Sequence, residues 1–366
     1  MTKFIPDTVF PPSDTILELL EERDWNQKEF SERMGYSTKH ISELLTGKVQ
    51  ITLETAQGLE RVLGASTQFW LNLEINYRNH LARIETQNKC TQWVDWLKQL
   101  PLIELKQHGV LPNETLNKSN KPLCVELCLK FFSVSSPEQW QQKYGALNVA
   151  FRRSQPEKTD IGAVTTWLRL GEIKAEAMDN KVTYNKEKFK KSLEVIRKMT
   201  TESPNIFEPK IKQLCSEAGV AFVMVPSIPK AKVSGAARWL NQHKPLIQLS
   251  LFGKTNDKFW FTFFHEAAHI LLHADKKDAV YLDNPDKANS DVDYEREANE
   301  WAGNILIPEQ HNSTLPSLTT KQLVREFSRQ IDIHPAIVVG RLQHDKVIPP
   351  SWMNEFKEKF EFANHN

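Results

Sequence analysis

At 366 residues the chain is too long for one ordinary core, and two or three domains are expected. A hydrophobic share of 40% and a charged share of 25% are those of a soluble globular protein, and a net charge of +1 gives no bulk electrostatic argument for nucleic acid or a membrane surface. No run of about twenty apolar residues is present, and the N-terminal MTKFIPDTVFPPSD lacks an apolar signal segment, so a cytoplasmic protein with no membrane partner is expected. The charge is unevenly spread, because residues 1–80 hold eight Lys and Arg against twelve Asp and Glu. Cys90, Cys124, Cys128 and Cys215 follow neither disulfide nor CxxC spacing and read as core thiols.

Residues 13–80 read as five short helices: ILELLEERDW, QKEFSERMG, STKHISELLTG, TLETAQGLERVLG and TQFWLNLEINYRNHL. Each has apolar residues at helical spacing, with Gly, Ser or Thr at the joins. Within them, NQKEFSERMGYSTKHISELLTGK has the texture of a helix-turn-helix. Gln27 opens its first helix, Gly35 stands where a positive φ is needed, and Ser37 caps the second helix. Ile41, Leu44 and Leu45 point inward, which turns Thr38, Lys39, Ser42 and Glu43 outward with His40 at the edge. In a helix-turn-helix such outward residues enter the major groove, where Lys39 favours guanine and Glu43 accepts from a cytosine amine, while Gln27 suits a phosphate. A small helical bundle that binds protein is the competing reading, and the −4 charge of this segment speaks for it. Double-stranded DNA is preferred, because a dimer concentrates a few basic residues on one face.

This stretch, with TLETAQGLERVLGASTQFWLNLEINY after it, resembles the HigA/VapI-type (XRE-like) antitoxin regulators over roughly residues 10–80. The resemblance implies a homodimer that binds operator DNA beside its own promoter and pairs with a RelE/HigB-like toxin.

From 81 to about 204 the chain stays helical and rich in Trp, with a polar break at LPNETLNKSNKP. WVDWL and TTWLRL read as core anchors, and no chemical motif stands out, so this region reads as a connector. After Glu202-Ser203-Pro204 the texture changes. GVAFVMVP is a β-rich run, and KVSGAARWL and KPLIQLS flank NQH as a hairpin. The tail TTKQLVREFSRQIDIHPAIVVGRLQ reads as helix, break, helix. Ile333, Ile337, Val338 and Leu342 form an apolar face suited to packing on the core, and a second DNA reader is the alternative.

Between hairpin and tail lies FWFTFFHEAAHILLHADKK. His265 and His269 are four apart on a helix and share a face, so both can reach one metal ion, while Glu266 on the flank suits a general base. Zinc fits two neutral imidazoles, a third protein ligand and an open position. It acidifies its water and polarises a peptide carbonyl. Manganese or another divalent ion is the alternative. In the downstream helix YEREANEWAGNIL, Tyr294, Ala298, Trp301 and Ile305 make an apolar stripe beside a second stripe of Glu295, Asn299 and Ala302. Glu295 is therefore the candidate third ligand and Asn299 the candidate acceptor for the outer N–H of a ligating histidine, while Glu297 and Glu300 read as solvated. His273 reads as a surface histidine at the helix C-terminus. A developing oxyanion also needs a donor, and Tyr281, Arg238 and His273 all remain open.

FWFTFFHEAAHILLH followed by EREANEWAGNILIP resembles the ImmA/IrrE family of zinc metallopeptidases over roughly 205–310, with Trp301 where Phe is common. The resemblance implies a zincin-like α+β domain whose small sheet has an edge strand alongside the active-site helix. KPLIQLS would be that strand, open to a substrate by β-augmentation.

The expected fold is therefore mostly α (α+β): a five-helix DNA-binding domain at 1–80, a helical connector at 81–204 and a zincin-like domain with a helical tail at 205–366. The expected function is a DNA-binding regulator carrying a zinc endopeptidase that cleaves itself or a partner repressor. The alternative is an antitoxin-repressor whose peptidase-like domain is catalytically silent and only senses or binds.

Overall fold

The computed structural model describes residues 9–154, 160–251, 253, 255–273, 281–283 and 293–361. It is mostly α with one small sheet, and it divides into two compact units, residues 1–95 with 116–126 and residues 96–115 with 127–366. Residues 81–204 are shared between the two. Among the described residues no helix is long and apolar enough to cross a membrane, and the four cysteines are buried.

The first unit contains α1 (Pro12–Glu22), α2 (Gln27–Met34), α3 (Thr38–Leu45), α4 (Leu53–Leu63) and α5 (Thr67–Gln92). The polar joins set the starts: the side chains of Asn26, Ser37, Thr52 and Ser66 each accept a backbone N–H from the first turn of the helix that follows. Ile16, Phe30, Ile41, Ala56, Leu59 and Trp70 are fully buried at the centre. The fifth helix runs well past Leu81, because nothing in ARIETQNKCTQ breaks it.

Four helices connect this bundle to the C-terminal sequence: α6 (Leu102–Gln107), α7 (Lys121–Phe132), α8 (Pro137–Ser154) and α9 (Ile161–Glu176). Trp96, Phe132, Trp140 and Tyr144 form an aromatic cluster within the second unit, so the Trp-rich segment does supply core anchors. Next come α10 (Lys186–Arg197), α11 (Pro204–Glu217), β1 (Ala221–Met224), β2 (Gly235–Asn241), β3 (Lys244–Leu249), α12 (Asn256–Leu272), β4 (Tyr281–Asp283), α13 (Asp293–Leu306), α14 (Lys321–Gln330) and α15 (Pro335–His344).

The strand order is β1-β3-β2-β4, with β1 parallel to β3 and the other pairs antiparallel. The hairpin is as expected, but KPLIQLS is not an edge. It is β3, an interior strand, because GVAFVMVP supplies β1 along its other side. Five of its six residues are buried, as a strand covered on both faces requires. The outer strands are β1 and β4. Alternation along the pleat gives the sheet two different faces. Phe222, Ala237, Ile247 and Leu249 pack into the large apolar core with α10 to α15. Ala236, Arg238, Leu246 and Gln248 turn to the other face, which α9 covers.

That second face is polar and locked. Arg238, 4% exposed, donates to Glu172 at 3.0 Å and to Gln248 at 3.1 Å. Gln248 donates to the Trp167 carbonyl at 2.7 Å, and Arg169 reaches Glu172 at 2.8 Å. Burial pulls the Arg238 pKa down, and Glu172 works against that shift. In the tail, Ile333, Ile337, Val338 and Leu342 are buried, with α15 against α12. Residues 336–339 are all buried, so this turn of α15 is packed into the core.

A buried guanidinium that loses its carboxylate leaves an uncompensated charge. Glu172→Ala should lower unfolding stability by about 3 kcal/mol or more, read from urea midpoints. Lys244→Ala, which removes one part-buried hydrogen bond to the Ala175 carbonyl, should cost about 1 kcal/mol.

Candidate functional site

The HEAAH residues sit in α12, a helix buried on nearly every side: of Phe259–Leu271 only Phe261 is exposed. Trp260 and Phe263 lock it from below, and Ala298 and Ala302 let α13 approach closely because they are small. This approach brings three side chains to one point. His265 Nε2 and His269 Nε2 are 3.0 Å apart. Glu295 places Oε2 3.3 Å from His265 Nε2 and Oε1 3.6 Å from His269 Nε2. The three ligating atoms all lie within 4.8 Å of one another, and this His-His-Glu group could hold a metal ion. Donors about 2.0–2.1 Å from a tetrahedral ion stand about 3.3 Å apart, so the observed spacing suits one.

The electrostatics suit it as well. Burial first, then the neighbouring His265 and His273, push the His269 pKa down to about 2, so its imidazole is neutral at pH 7 and keeps a lone pair to donate. Tyr294 walls the cluster, its ring 6.4 Å from His269 and 6.0 Å from His273, and burial followed by Glu295 raises its hydroxyl pKa.

Glu266 is fully buried. Its placement depends on Gly235 in β2, a residue with no part in the sequence reading. A Cβ at Gly235 would lie 2.6 Å from Glu266 Oε1 and 2.7 Å from the Thr262 methyl. A glycine inside a strand often marks such a close approach, and SGAARWL carried that signal.

Several other expectations change. His273 is not a surface residue. It closes α12 and is 5% exposed. Its Nδ1 lies 3.1 Å from His269 Nδ1 and its Nε2 lies 3.1 Å from Glu297 Oε2. Glu297 therefore reaches into the cluster, although its side chain is 56% exposed. The contact at the outer nitrogen of His269 is to His273, while Asn299 is half-buried on α13 and Glu300 is exposed. Of the three oxyanion-donor candidates, Arg238 is on the far face of the sheet from α12, held by Glu172 and Gln248. Both ring nitrogens of His273 are engaged. Tyr281 opens β4, and its side chain lies outside the described residues.

The second candidate site is on the first unit. Gly35 has φ +70° and its N–H bonds to the carbonyls of Ser31 and Glu32, ending α2 in a left-handed turn. Ser37 accepts the His40 N–H at 3.2 Å and starts α3. Ile41, Leu44 and Leu45 are buried. Gln27, Thr38, Lys39 and Ser42 are exposed, while His40 and Glu43 are half-buried. The His40 ring meets Tyr36 edge-on at 4.6 Å.

Residues 16–70 match the helix-turn-helix family, and residues 223–328 match the IrrE N-terminal-like domain. The chain is an HTH-type transcriptional regulator that carries an IrrE N-terminal-like domain. The N-terminal domain is 43% identical over 63 residues to the uncharacterized HTH-type transcriptional regulator YddM of Escherichia coli (strain K12), a match covering 17% of this chain and 67% of that protein. The helix-turn-helix implies binding to double-stranded DNA. The IrrE-like match runs from β1 into α14 and so contains α12, α13 and the His-His-Glu group.

A histidine held neutral by burial takes up its proton on unfolding. For His269 the folded pKa lies below the free value of about 6.5, so unfolded chain binds the extra proton below that pH. Chelator-treated protein should hold constant stability above about pH 6.5 and lose it as pH falls, by at most about 1.4 kcal/mol per unit from this group. Urea midpoints at pH 7.5 and 5.5 measure it, and His269→Asn should flatten the difference.

Proposed function

We propose that this regulator carries a zinc-dependent endopeptidase that cleaves the chain itself or a partner repressor, so that proteolysis relieves repression. The observation that carries the reading is the convergence of His265 Nε2, His269 Nε2 and the Glu295 carboxylate beside the buried Glu266. In this reading 1–80 reads DNA, 205–366 is the peptidase with its helical tail, and 81–204 connects them.

His265, His269 and Glu295 would hold one zinc ion. Bound zinc supplies polarisation of the scissile carbonyl and acidification of a water. Glu266 accepts the proton of the attacking water on its carboxylate and returns it to the leaving amine. Gly235 leaves room for that carboxylate. The aromatic core around α12 excludes bulk water, which strengthens every charge interaction inside.

On the DNA side, Thr38, Lys39, Ser42 and Glu43 face the major groove, His40 stands at its rim and Gln27 meets a phosphate. The small number of exposed cations favours a homodimer on the operator, where two copies sum their phosphate contacts. A cytoplasmic setting and a RelE/HigB-like toxin partner fit the same reading.

Glu266→Gln should abolish cleavage of the chain or of a co-expressed repressor, a loss of at least about a hundredfold, while operator binding in a gel-shift assay stays intact. Equal cleavage by the variant would remove Glu266 from the chemistry. Absence of cleavage by the wild-type protein would instead favour a silent, partner-holding domain. Gly235→Ala should cut turnover about tenfold or more by displacing the Glu266 carboxylate while zinc content stays at wild type, read by parallel activity and metal assays.

A further inference from the structure

We propose that His273 and Glu297 form a relay that fixes the tautomer and orientation of His269, and that both are positioning residues for its metal. The proposal rests on the reading of the His-His-Glu cluster as a metal site. It assigns a role to two side chains that neither the HExxH pattern nor the Glu295 ligand accounts for.

Hydrogen-bond bookkeeping carries the argument. His269 Nε2 faces His265 Nε2 at 3.0 Å and Glu295 at 3.6 Å, the point where the three ligating atoms meet. To donate a lone pair there, Nε2 must carry no proton, and a neutral imidazole then has its one proton on Nδ1. That Nδ1 lies 3.1 Å from His273 Nδ1. His273 must accept at Nδ1 and hold its own proton on Nε2. His273 Nε2 in turn lies 3.1 Å from Glu297 Oε2, a carboxylate that can only accept. Every donor along Glu297, His273 and His269 therefore has an acceptor.

The opposite assignment fails at both ends. With the proton on His273 Nδ1, the lone pair of its Nε2 would face the Glu297 carboxylate. The proton of His269 would be driven onto Nε2, against His265 and the metal position. Only one direction of the relay leaves His269 ready to ligate, and the carboxylate at its outer end sets that direction.

The chain places these groups deliberately in space. His273 is one turn beyond His269 on α12 and closes the helix, its N–H bonded to the His269 carbonyl at 3.1 Å. Glu297 comes from α13, the same helix that supplies Glu295 two residues earlier. Glu295 reaches the inner nitrogens of His265 and His269, while Glu297 reaches the outer end of His273. One helix thus contacts α12 at both ends of the histidine row. A carboxylate or carbonyl on the outer nitrogen of a ligating histidine commonly tunes affinity. Here an imidazole is interposed.

The test is zinc affinity of the full chain, stripped and then titrated against a chelating dye. Wild type should hold one ion. His273→Phe and Glu297→Ala should bind it about 10–100-fold more weakly. His273→Asn, whose Oδ1 can accept where Nδ1 does, should recover most of the loss. In nitrogen-15 histidine spectra of the zinc-loaded protein, the His269 Nδ1 proton should be seen in wild type and His273→Asn and be lost in His273→Phe. A merely structural role would lower the stability of stripped protein without this pattern in affinity or in the Nδ1 signal. If wild type holds one ion and both His273→Phe and Glu297→Ala match it within about twofold, the relay is overturned while the metal site stands. If wild type holds none, the metal reading fails and the relay falls with it. Should His273→Phe not fold, Glu297→Ala decides alone, since its side chain is more than half exposed.

Discussion

The second unit is organised by the need to place two imidazoles and a carboxylate inside an apolar helix. Burying such groups costs several kcal/mol unless each finds a partner. The chain meets this cost by making the neighbourhood small wherever α12 must be approached and aromatic wherever it must be held. Gly235, Ala298 and Ala302 bring backbone or short side chains close to the HEAAH turn. Trp260, Phe263 and Phe264 lie fully buried around the turn, with Phe207, Phe259 and Phe360 meeting in tilted and edge-on contacts at the far end of the helix. The N-terminal end of α12 is tied as well. Asn256 accepts the Glu358 N–H and donates its own to the Glu358 carbonyl at 2.9 Å, and Lys357 pairs with buried Asp257 at 2.7 Å. A helix pinned at its start, along its length and at its His273 end can hold two nitrogens 3.0 Å apart.

The two faces of the sheet divide the labour. On the face toward α12, Phe222, Ala237, Ile247 and Leu249 are apolar, and Gly235 leaves room for Glu266. The face toward α9 carries the buried ion pairs. Gly171 of α9 permits this, since a Cβ there would lie 1.9 Å from the Gln248 amide oxygen. Arg238 stands three residues after Gly235 on the same strand yet belongs to a different function, because a step of one residue reverses the side chain and an odd step therefore crosses the sheet. The His-His-Glu cluster thus gains a rigid backing, with Arg238 held on the opposite face of the sheet.

This parity is also what made some features legible and others not. Helical spacing puts His265 and His269 on one face of α12 because positions four apart on one helix share a face whatever the tertiary context, and Glu295 reaches them from a separate helix. The stripes on α13 similarly separated Ala298 and Ala302 from Glu300. Glu297 is exposed as its spacing implies, but its contact with His273 is not legible because a long side chain at the flank of a helix can reach a partner that spacing does not name, and the burial of His273 is not legible because burial at a helix end depends on the packing of another element. The caps and the left-handed turn at Gly35 were legible from local chemistry. The position of KPLIQLS in the sheet was not, since edge or centre is decided by a strand twenty residues away in sequence that pairs in parallel. Gly235 announced only that something approaches closely, without saying that it is Glu266.

The first unit shows a related economy in its cations. Arg23 is bound to the Leu19 and Leu63 carbonyls, both at 2.9 Å. Arg33 pairs with Glu29 at 2.9 Å and lies 4.0 Å over Trp25. Arg78 pairs with Glu74 at 2.6 Å and reaches the Gly47 carbonyl. Three arginines thus knit helices and loops together instead of standing free for phosphate. Lys28, Lys39 and Lys48 are exposed around the helix-turn-helix. Few phosphates neutralised means few counterions released, and non-specific affinity falls in proportion. In the proposed DNA reading, such a domain would depend less on the phosphate backbone and more on base edges met by Thr38, Lys39, Ser42 and Glu43 of α3. The −4 charge that argues against indiscriminate DNA binding is therefore compatible with selective binding, provided that the contacts of α3 supply what the phosphates do not.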